Sequence, residues 1–238
     1  MYRGGRRSRV RVVRSSAALE LRVDGSLASR YVPGSPACGR VWDALAAPLL
    51  WLPAERRRRV LVLGLGGGSA ARLARALAPR AHIVGVELDR EVLRAARRWL
   101  DLDALGLEVV EGDALAFLQR SRLRFDAVLE DVFVGRGRAV RKPAWLPHPG
   151  LDLAVRRLRP GGVLASNTLD EWREVERAIR SLLPRRVCIE VDDYDNRIVV
   201  GGGPGLDGRA LRGRVRVEPL LAGTLSSLCF RSLQGASG

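Results

Sequence analysis

Apolar residues recur along this chain with two periods, and the change from one to the other predicts its elements. Leu19, Leu21 and Val23 alternate with Glu20 and Arg22, the period-two pattern of a half-buried strand. Asp24-Gly25 follows, a dipeptide suited to a tight hairpin turn. Residues 9–31 therefore read as a small β unit. A Pro/Gly loop runs from Pro33 to Gly39, and Arg40–Leu52 reads as a helix kinked at Pro48. From Val60 the rhythm becomes strand, helix, strand, helix. Val60–Leu63 is an unbroken apolar run, as in a strand buried on both faces. Ala70–Ala78 is a small-residue helix and Ile83–Val86 the next strand. Arg90–Leu100 is amphipathic, with Val92, Leu93, Ala96 and Leu100 on one side. Further strands are predicted at Leu107–Val110, Ala127–Leu129 and Val163–Ala165, and further helices at Ala114–Gln119, Leu151–Leu158 and Glu171–Leu183. Val187–Val191 and Ile198–Val200 form a closing hairpin, and Gly201–Gly205 ends the regular region.

This alternation predicts a doubly wound α/β sheet behind a small N-terminal β-hairpin unit. Four segments follow: a basic arm over 1–14, the β unit with its linker helix over 15–50, the α/β domain over 51–205, and an unassigned extension over 206–238. Ligands of such sheets bind beyond the carboxyl ends of the strands. That rule selects the loops 64–69, 87–89, 111–114, 130–150, 166–171 and 192–196.

Composition narrows the class. The chain has 238 residues, 47% hydrophobic and 28% charged, the balance of a globular domain with its own core. Its longest apolar stretch, Ala44–Ala54, is broken by Pro48 and Pro53, so no membrane contact is expected. The basic N-terminus has no apolar segment behind it and does not read as a secretory signal. Cys38, Cys188 and Cys229 are widely spaced and odd in number, as in a cytoplasmic protein with reduced thiols. With only His82 and His148 besides, no metal site is expected. The net charge is +15, yet only one of the 41 basic residues is a lysine, Lys142. Such a bias reflects coding habit as well as partners, so specific recognition of nucleic acid is not expected. Arg56–Arg59 precede the first buried strand, on the edge away from the ligand loops, and read as solvated.

Three positions carry the chemistry. Gly64-Leu65-Gly66-Gly67-Gly68-Ser69 joins a buried strand to a helix, where glycines admit a close ligand and the helix offers amides. Gly66-x-Gly68-x-x-Ala71 also comes near a dinucleotide-binding loop. Glu87, at the next strand's end, is placed to accept both hydroxyls of a ribose. Asp113, in Glu111-Gly112-Asp113-Ala114, can accept from an adenine amino group or cap the following helix. Glu87 suits a dinucleotide and S-adenosylmethionine equally; Asp113 favours the latter, and no hydride-transfer machinery suggests itself.

The segments VLVLGLGGGSAARLARAL, IVGVELDREVLRAARRWL, VVEGDALAFL and FDAVLEDVFVG together resemble the spermidine/spermine synthase family, over roughly residues 15–200. The resemblance implies a class I methyltransferase-like Rossmann domain that binds S-adenosylmethionine or its decarboxylated form. Gly64, Gly66 and Gly68 would contact the sulfonium tail, Glu87 the ribose and Asp113 the adenine. Asp131 would orient and deprotonate the acceptor amine. The chain departs from the family pattern at three points. Gly67 stands where the family's glycine loop has an acid, Val134 replaces the second acid of the motif after the strand, and the family's Tyr-His pair is absent from Pro36–Trp42.

An Asp at 67 would repel the carboxylate of the ordinary donor by about 4 kcal/mol at ~4 Å for an effective dielectric near 20. Its loss therefore favours methyl transfer to a small-molecule acceptor. Aminopropyl transfer to a polyamine is the alternative, and a non-catalytic nucleoside- or nucleic-acid-binding relative the third reading. Arg136, Arg138, Arg141 and Lys142 would draw an anionic acceptor to the pocket, with Trp145 and His148 as its wall. Asp193 and Tyr194, within Asp192–Asn196, would form an acceptor subsite, and Asn167 a polar contact. A homodimer is compatible with the sequence.

Overall fold

The computed structural model describes residues 9–15 and 17–233, and of Arg138 the backbone alone. The chain opens with a three-stranded antiparallel sheet of β1 (Val10–Arg14), β2 (Leu19–Val23) and β3 (Ser26–Tyr31). The basic arm predicted over 1–14 is thus partly strand: Val10 and Val12 pair with Val23 and Leu21. Their alternation with Arg11 buries one face and leaves the arginine outside. Residues 1–8 lie outside the described segment. Asp24 (φ 48°) and Gly25 (φ 89°) make the β2–β3 turn as predicted. The linker helix is α1 (Val41–Ala46), continued by a 3-10 turn over Ala47–Trp51 with Pro48 in its first turn, where a missing N–H costs nothing.

The main sheet has eight strands in the order β11-β9-β10-β8-β7-β4-β5-β6. They are β4 (Arg59–Leu63), β5 (His82–Glu87), β6 (Glu108–Glu111), β7 (Phe125–Glu130), β8 (Leu158–Thr168), β9 (Arg185–Val191), β10 (Arg197–Gly202) and β11 (Leu228–Leu233). The helices are α2 (Ser69–Leu77), α3 (Arg90–Trp99), α4 (Ala114–Arg120), α5 (Gly150–Arg156), α6 (Trp172–Leu182) and α7 (Gly208–Val217). Strands β4 to β8 run parallel; β10, β9 and β11 extend the sheet antiparallel. Side chains of β4 alternate between two cores. Val60 and Val62 face Trp42, Leu45, Leu73 and Leu93, whereas Leu61 and Leu63 face Leu118, Phe125 and Leu151.

From β4 the chain moves outward through β5 to β6, then returns to place β7 on the other side of β4. The crevice between the ends of β4 and β7 is therefore the switch point at which such sheets bind ligands. Two differences from the sequence reading stand out. Strand β8 is longer than the apolar run that marked it, because Pro160-Gly161-Gly162 interrupts the pattern without ending the strand. The unassigned residues 206–238 contain α7, capped by the Asp207 carboxylate on the Ala210 amide, and β11, which pairs with β9. Arg214 of α7 stacks over Trp51 at 4.4 Å and donates to the Leu50 carbonyl.

Candidate active site

Asp131 follows β7 at the switch point, and its amide donates to the Leu63 carbonyl at 2.8 Å. Its carboxylate is held from two sides. Trp42 Nε1 of α1 donates to Oδ2 at 2.8 Å, and Asn167 Nδ2 of β8 donates to Oδ1 at 2.7 Å. Asn196 Nδ2 in turn fixes Asn167 by donating to its Oδ1 at 2.9 Å. Burial pushes the Asp131 carboxyl up to about 6, against the opposing pull of Asn167, the Lys142 charge and Trp42. It is an oriented, half-desolvated acid that takes or releases a proton near neutrality.

Next to it Glu130 is fully buried. Lys142 Nζ donates to both its oxygens at 2.8 and 2.9 Å, and Ser166 Oγ to Oε2 at 2.5 Å. The chain's one lysine is thus a structural counter-ion that pins the start of the 132–142 loop, with its ammonium 4.0 Å from the Phe133 ring centre. This corrects the expectation of four cations over the pocket. Lys142 is committed to Glu130, and Arg136 pairs with Asp24 of the β2–β3 turn at 3.0 Å. Arg141 is exposed, and the Arg138 side chain lies outside what is described.

The glycine loop also differs from expectation. Gly64 and Leu65 amides donate to the Val86 carbonyl, Gly66 to Glu87 Oε2, Gly67 to Ser29 Oγ and Gly68 to the Leu65 carbonyl. Each amide already has an acceptor within the protein, so the contacts foreseen from Gly64, Gly66 and Gly68 to a sulfonium tail are not offered by free amides. The glycines serve close packing. A Cβ at Gly64 (φ 76°) would lie 2.5 Å from the Asp131 carbonyl oxygen. One at Gly67 would lie 2.6 Å from Leu100 Cδ2 and 2.8 Å from Ser29 Cβ. Gly67 is thus covered by β3 and Leu100, and the accessible amide expected there is taken by Ser29. Ser69 closes the strap, accepting from the Arg30 amide at 2.8 Å and donating to its carbonyl at 2.9 Å.

Glu87 and Asp113 stand at the adjacent ends of β5 and β6, where Glu87 is in register with Glu111. Glu87 accepts one amide on each oxygen, from Gly66 at 2.8 Å and Asp89 at 3.0 Å, and burial raises its pKa. A carboxylate has about four lone-pair positions, so two remain for a pair of hydroxyls. Asp113 caps α4 through Oδ1 on the Ala116 amide at 2.7 Å, and no hydrogen bond among the described residues occupies Oδ2. The capping role and an adenine contact are therefore compatible. Leu88, 55% exposed on the rim between Glu87 and Asp89, adds an apolar surface that an aromatic base can cover.

The remaining candidates divide. Tyr194 reaches the site from the β9–β10 turn, its hydroxyl accepting from Arg40 just ahead of α1. Asp193 (φ 63°) is exposed at that turn, an ordinary place for an aspartate in the left-handed region. Trp145 is not brought to Asp131: it packs with Leu146 around Gly150 in the second core. His148 is exposed and bonded to Asp152 at 2.6 Å. Trp42 and Asn196 escaped the sequence reading. Trp42 comes from outside the strand-end loops, and Asn196 sits in a run whose aspartates explain themselves as turn formers.

Residues 60–162 match the family model described as "Methyltransferase domain". With the strand order, the acids at successive strand ends and this match in hand, the membership is plain. The chain belongs to the class I S-adenosylmethionine-dependent transferase superfamily and has a spermidine synthase-like fold. Its relatives fall on both sides of that superfamily. A "probable polyamine aminopropyl transferase" of Bifidobacterium longum is 31% identical over 131 residues, 54% of this chain and 28% of that protein. An "eEF1A lysine and N-terminal methyltransferase homolog" of Drosophila pseudoobscura pseudoobscura is 40% identical over 154 residues, 60% of this chain and 23% of that protein. The chain thus spans about a quarter of the length of these two relatives. Among solved structures, a probable spermidine synthase from Corynebacterium glutamicum superposes with a TM-score of 0.75 at 19% identity, covering 94% of this chain and 87% of that one. Human methyltransferase-like protein 13 with SAH gives 0.58 at 22% identity, covering 78% and 90%. At these identities the likeness is one of fold. No helix among the described residues is long and apolar enough to cross a membrane.

Proposed function

We propose that this protein transfers the methyl group of S-adenosylmethionine to a nitrogen of a small-molecule acceptor, with Asp131 as the group that holds the acceptor and takes its proton. The observation that carries this reading is the isolation of Asp131. It is the one acid at the switch point whose carboxylate is oriented by neutral donors alone, Trp42 and Asn167, since its neighbour Glu130 is sealed in an ion pair. The residues fit the donor: Glu87 has acceptor capacity for the ribose hydroxyls, Asp113 Oδ2 for the adenine amino group, and Leu88 covers the base. The donor supplies a carbon on a sulfonium, open to in-line attack. The protein's part is chiefly orientation. As nitrogen attacks, its proton passes to Asp131, whose pKa near 6 leaves it mostly ionised at neutral pH.

The acceptor is better taken as basic than as anionic. Two of the four cations foreseen beside the pocket are neutralised, and Asp170, Asp192, Asp193 and Asp195 stand exposed on the same rim. Those aspartates also favour the second reading, aminopropyl transfer, because they can hold an ammonium. Against it, positions 67 and 134 carry no acid near the donor's tail, and position 67 has no room for one. Calorimetry with the two donors side by side separates the readings. S-adenosylmethionine should bind at least as tightly as its decarboxylated form. A tenfold preference for the decarboxylated donor, about 1.4 kcal/mol, with spermidine made from putrescine, would overturn methyl transfer.

A further inference from the structure

The arginines of this chain are not spread evenly. Four segments that lead into β4, β5, β7 and β8 (residues 53–59, 79–82, 120–126 and 156–160) hold eleven arginines against two acids, Glu55 and Asp126. These strands are parallel neighbours in the order β8-β7-β4-β5, so their entry loops meet on one edge of the sheet, opposite Glu87 and Asp131. Coding habit alone would leave acids interspersed. On α3 they are: Arg94 pairs with Glu91 and Arg97 with Asp103. At this edge they are not. Asp126 is buried and accepts the Arg58 and Arg59 amides at 3.1 and 2.9 Å, with the Arg159 guanidinium at 3.4 Å. Glu55 engages Arg58 through its carbonyl. Glu108 at one flank pairs with His82, and Glu218 at the other faces Arg57. Among the described residues Arg56, Arg58, Arg80, Arg122 and Arg124 have no ion-pair partner.

Three of these loops also shape a groove. An open cavity of about 670 Å³ is lined by Arg56, Arg58 and Arg159, with Asp126 and Pro160 among its other walls. We propose that this edge is a docking surface for the phosphate backbone of a nucleic acid. Guanidinium forks match phosphate oxygens in bidentate fashion. Four strands at about 4.8 Å spacing spread the loops over roughly 14 Å, the rise of about four phosphates at ~3.4 Å along one strand of a duplex. A folded protein partner fits less well, because such interfaces centre on apolar anchors. The exposed large apolar residues Val13, Leu88, Trp99 and Val217 all lie outside the four segments. Phe125, within them, is fully buried, so no such ring is available to stack a base, and recognition is of the backbone and independent of sequence. The surface faces away from the candidate active site, so the two can be occupied together.

The test is anisotropy with the full chain and a labelled 20-base-pair DNA duplex of mixed sequence, from 50 to 200 mM salt. The variant Arg56→Gln/Arg58→Gln/Arg122→Gln/Arg124→Gln removes four charges from the edge. The control Arg177→Gln/Arg209→Gln/Arg212→Gln/Arg216→Gln removes four from α6 and α7. Wild type should bind with a steep salt dependence, and the edge variant at least thirtyfold more weakly at 50 mM salt. Its log–log salt slope should flatten by about 3, near 0.9 per phosphate lost. The control should change affinity less than threefold. Thermal unfolding checks that both variants are folded. If the quadruple edge variant is not, Arg122→Gln/Arg124→Gln carries the same prediction at half the slope change. Equal losses in edge variant and control, no binding by wild type, or displacement of the duplex by polyglutamate of matched charge and concentration would each overturn the proposal.

Discussion

Replacing Asp131 by asparagine should change how stability depends on pH, by an amount the site geometry sets. The folded carboxyl titrates near 6, against an ordinary 3.8, because burial penalises its charge. The native state therefore holds this proton more tightly than the unfolded chain does. Below pH 3.8 both states are protonated and no penalty exists. As pH rises the unfolded chain ionises first, so stability falls through the interval up to about 6, and above it the loss is complete. Two units at 1.36 kcal/mol each make a loss of about 3 kcal/mol. Asparagine cannot titrate. The stability of wild type minus that of Asp131→Asn should thus fall by about 3 kcal/mol between pH 4 and pH 7.5, whatever offset the altered hydrogen bonds add at every pH. Urea unfolding of both proteins at five or six pH values measures this. A second perturbation fixes the cause. Asn167 donates to Asp131 at 2.7 Å, and a hydrogen bond to a charged acceptor is worth roughly 1.5–3 kcal/mol. Asn167→Ala should push the carboxyl higher still and enlarge the pH-dependent loss. A difference that is flat in pH would refute the reasoning: Asp131 would then be solvated, and its bonds to Trp42 and Asn167 would not hold.

Other perturbations read separate parts of the structure. Lys142→Met leaves the Glu130 charge buried without its partner and should cost about 3–5 kcal/mol in denaturant unfolding, whereas Lys142→Met/Glu130→Met should recover most of it; a single variant as stable as wild type would show that Glu130 is solvated. Glu87→Ala should weaken methylthioadenosine binding by more than ~1.5 kcal/mol in calorimetry, through loss of charge-assisted hydrogen bonds to the ribose; unchanged affinity would remove Glu87 from the nucleoside site. Gly67→Ala forces a methyl within 2.6 Å of Leu100 and should cost about 1–3 kcal/mol, seen as a lowered unfolding midpoint; a neutral result would mean that β3 does not bear on the glycine loop.

Much of the fold was legible in the order of residues because its signals are local. The unbroken runs Val60–Leu63 and Phe125–Leu129 mark strands buried on both faces, and the 3.6-residue stripe of Val92, Leu93 and Ala96 marks α3. Given a parallel sheet, the rule that ligands lie beyond strand ends selected Glu87, Asp113 and Asp131 with no knowledge of packing. Signals failed where the pattern was diluted: in β11, an edge strand with its charged and polar residues exposed, and in β1, where Arg11 and Arg14 masked Val10 and Val12.

Tertiary structure decided what those residues touch, since contacts between segments far apart in sequence leave no periodicity to read. Residue type and position in a loop said that Lys142 was a surface cation. Only packing showed it 2.8 Å from Glu130, sealed with Ser166 of a neighbouring strand. A missing acid at Gly67 looked like an electrostatic choice, but the fold reveals a steric one, because β3 and Leu100 fill the space a side chain would need. Arginines scattered over a hundred residues gather on one edge because parallel strands bring all their entry loops to the same side. Asp131 itself was chosen by sequence. The Trp42 and Asn167 bonds that orient it, and the burial that makes it a base near neutral pH, come from α1 and β8, which meet it only when the chain is folded.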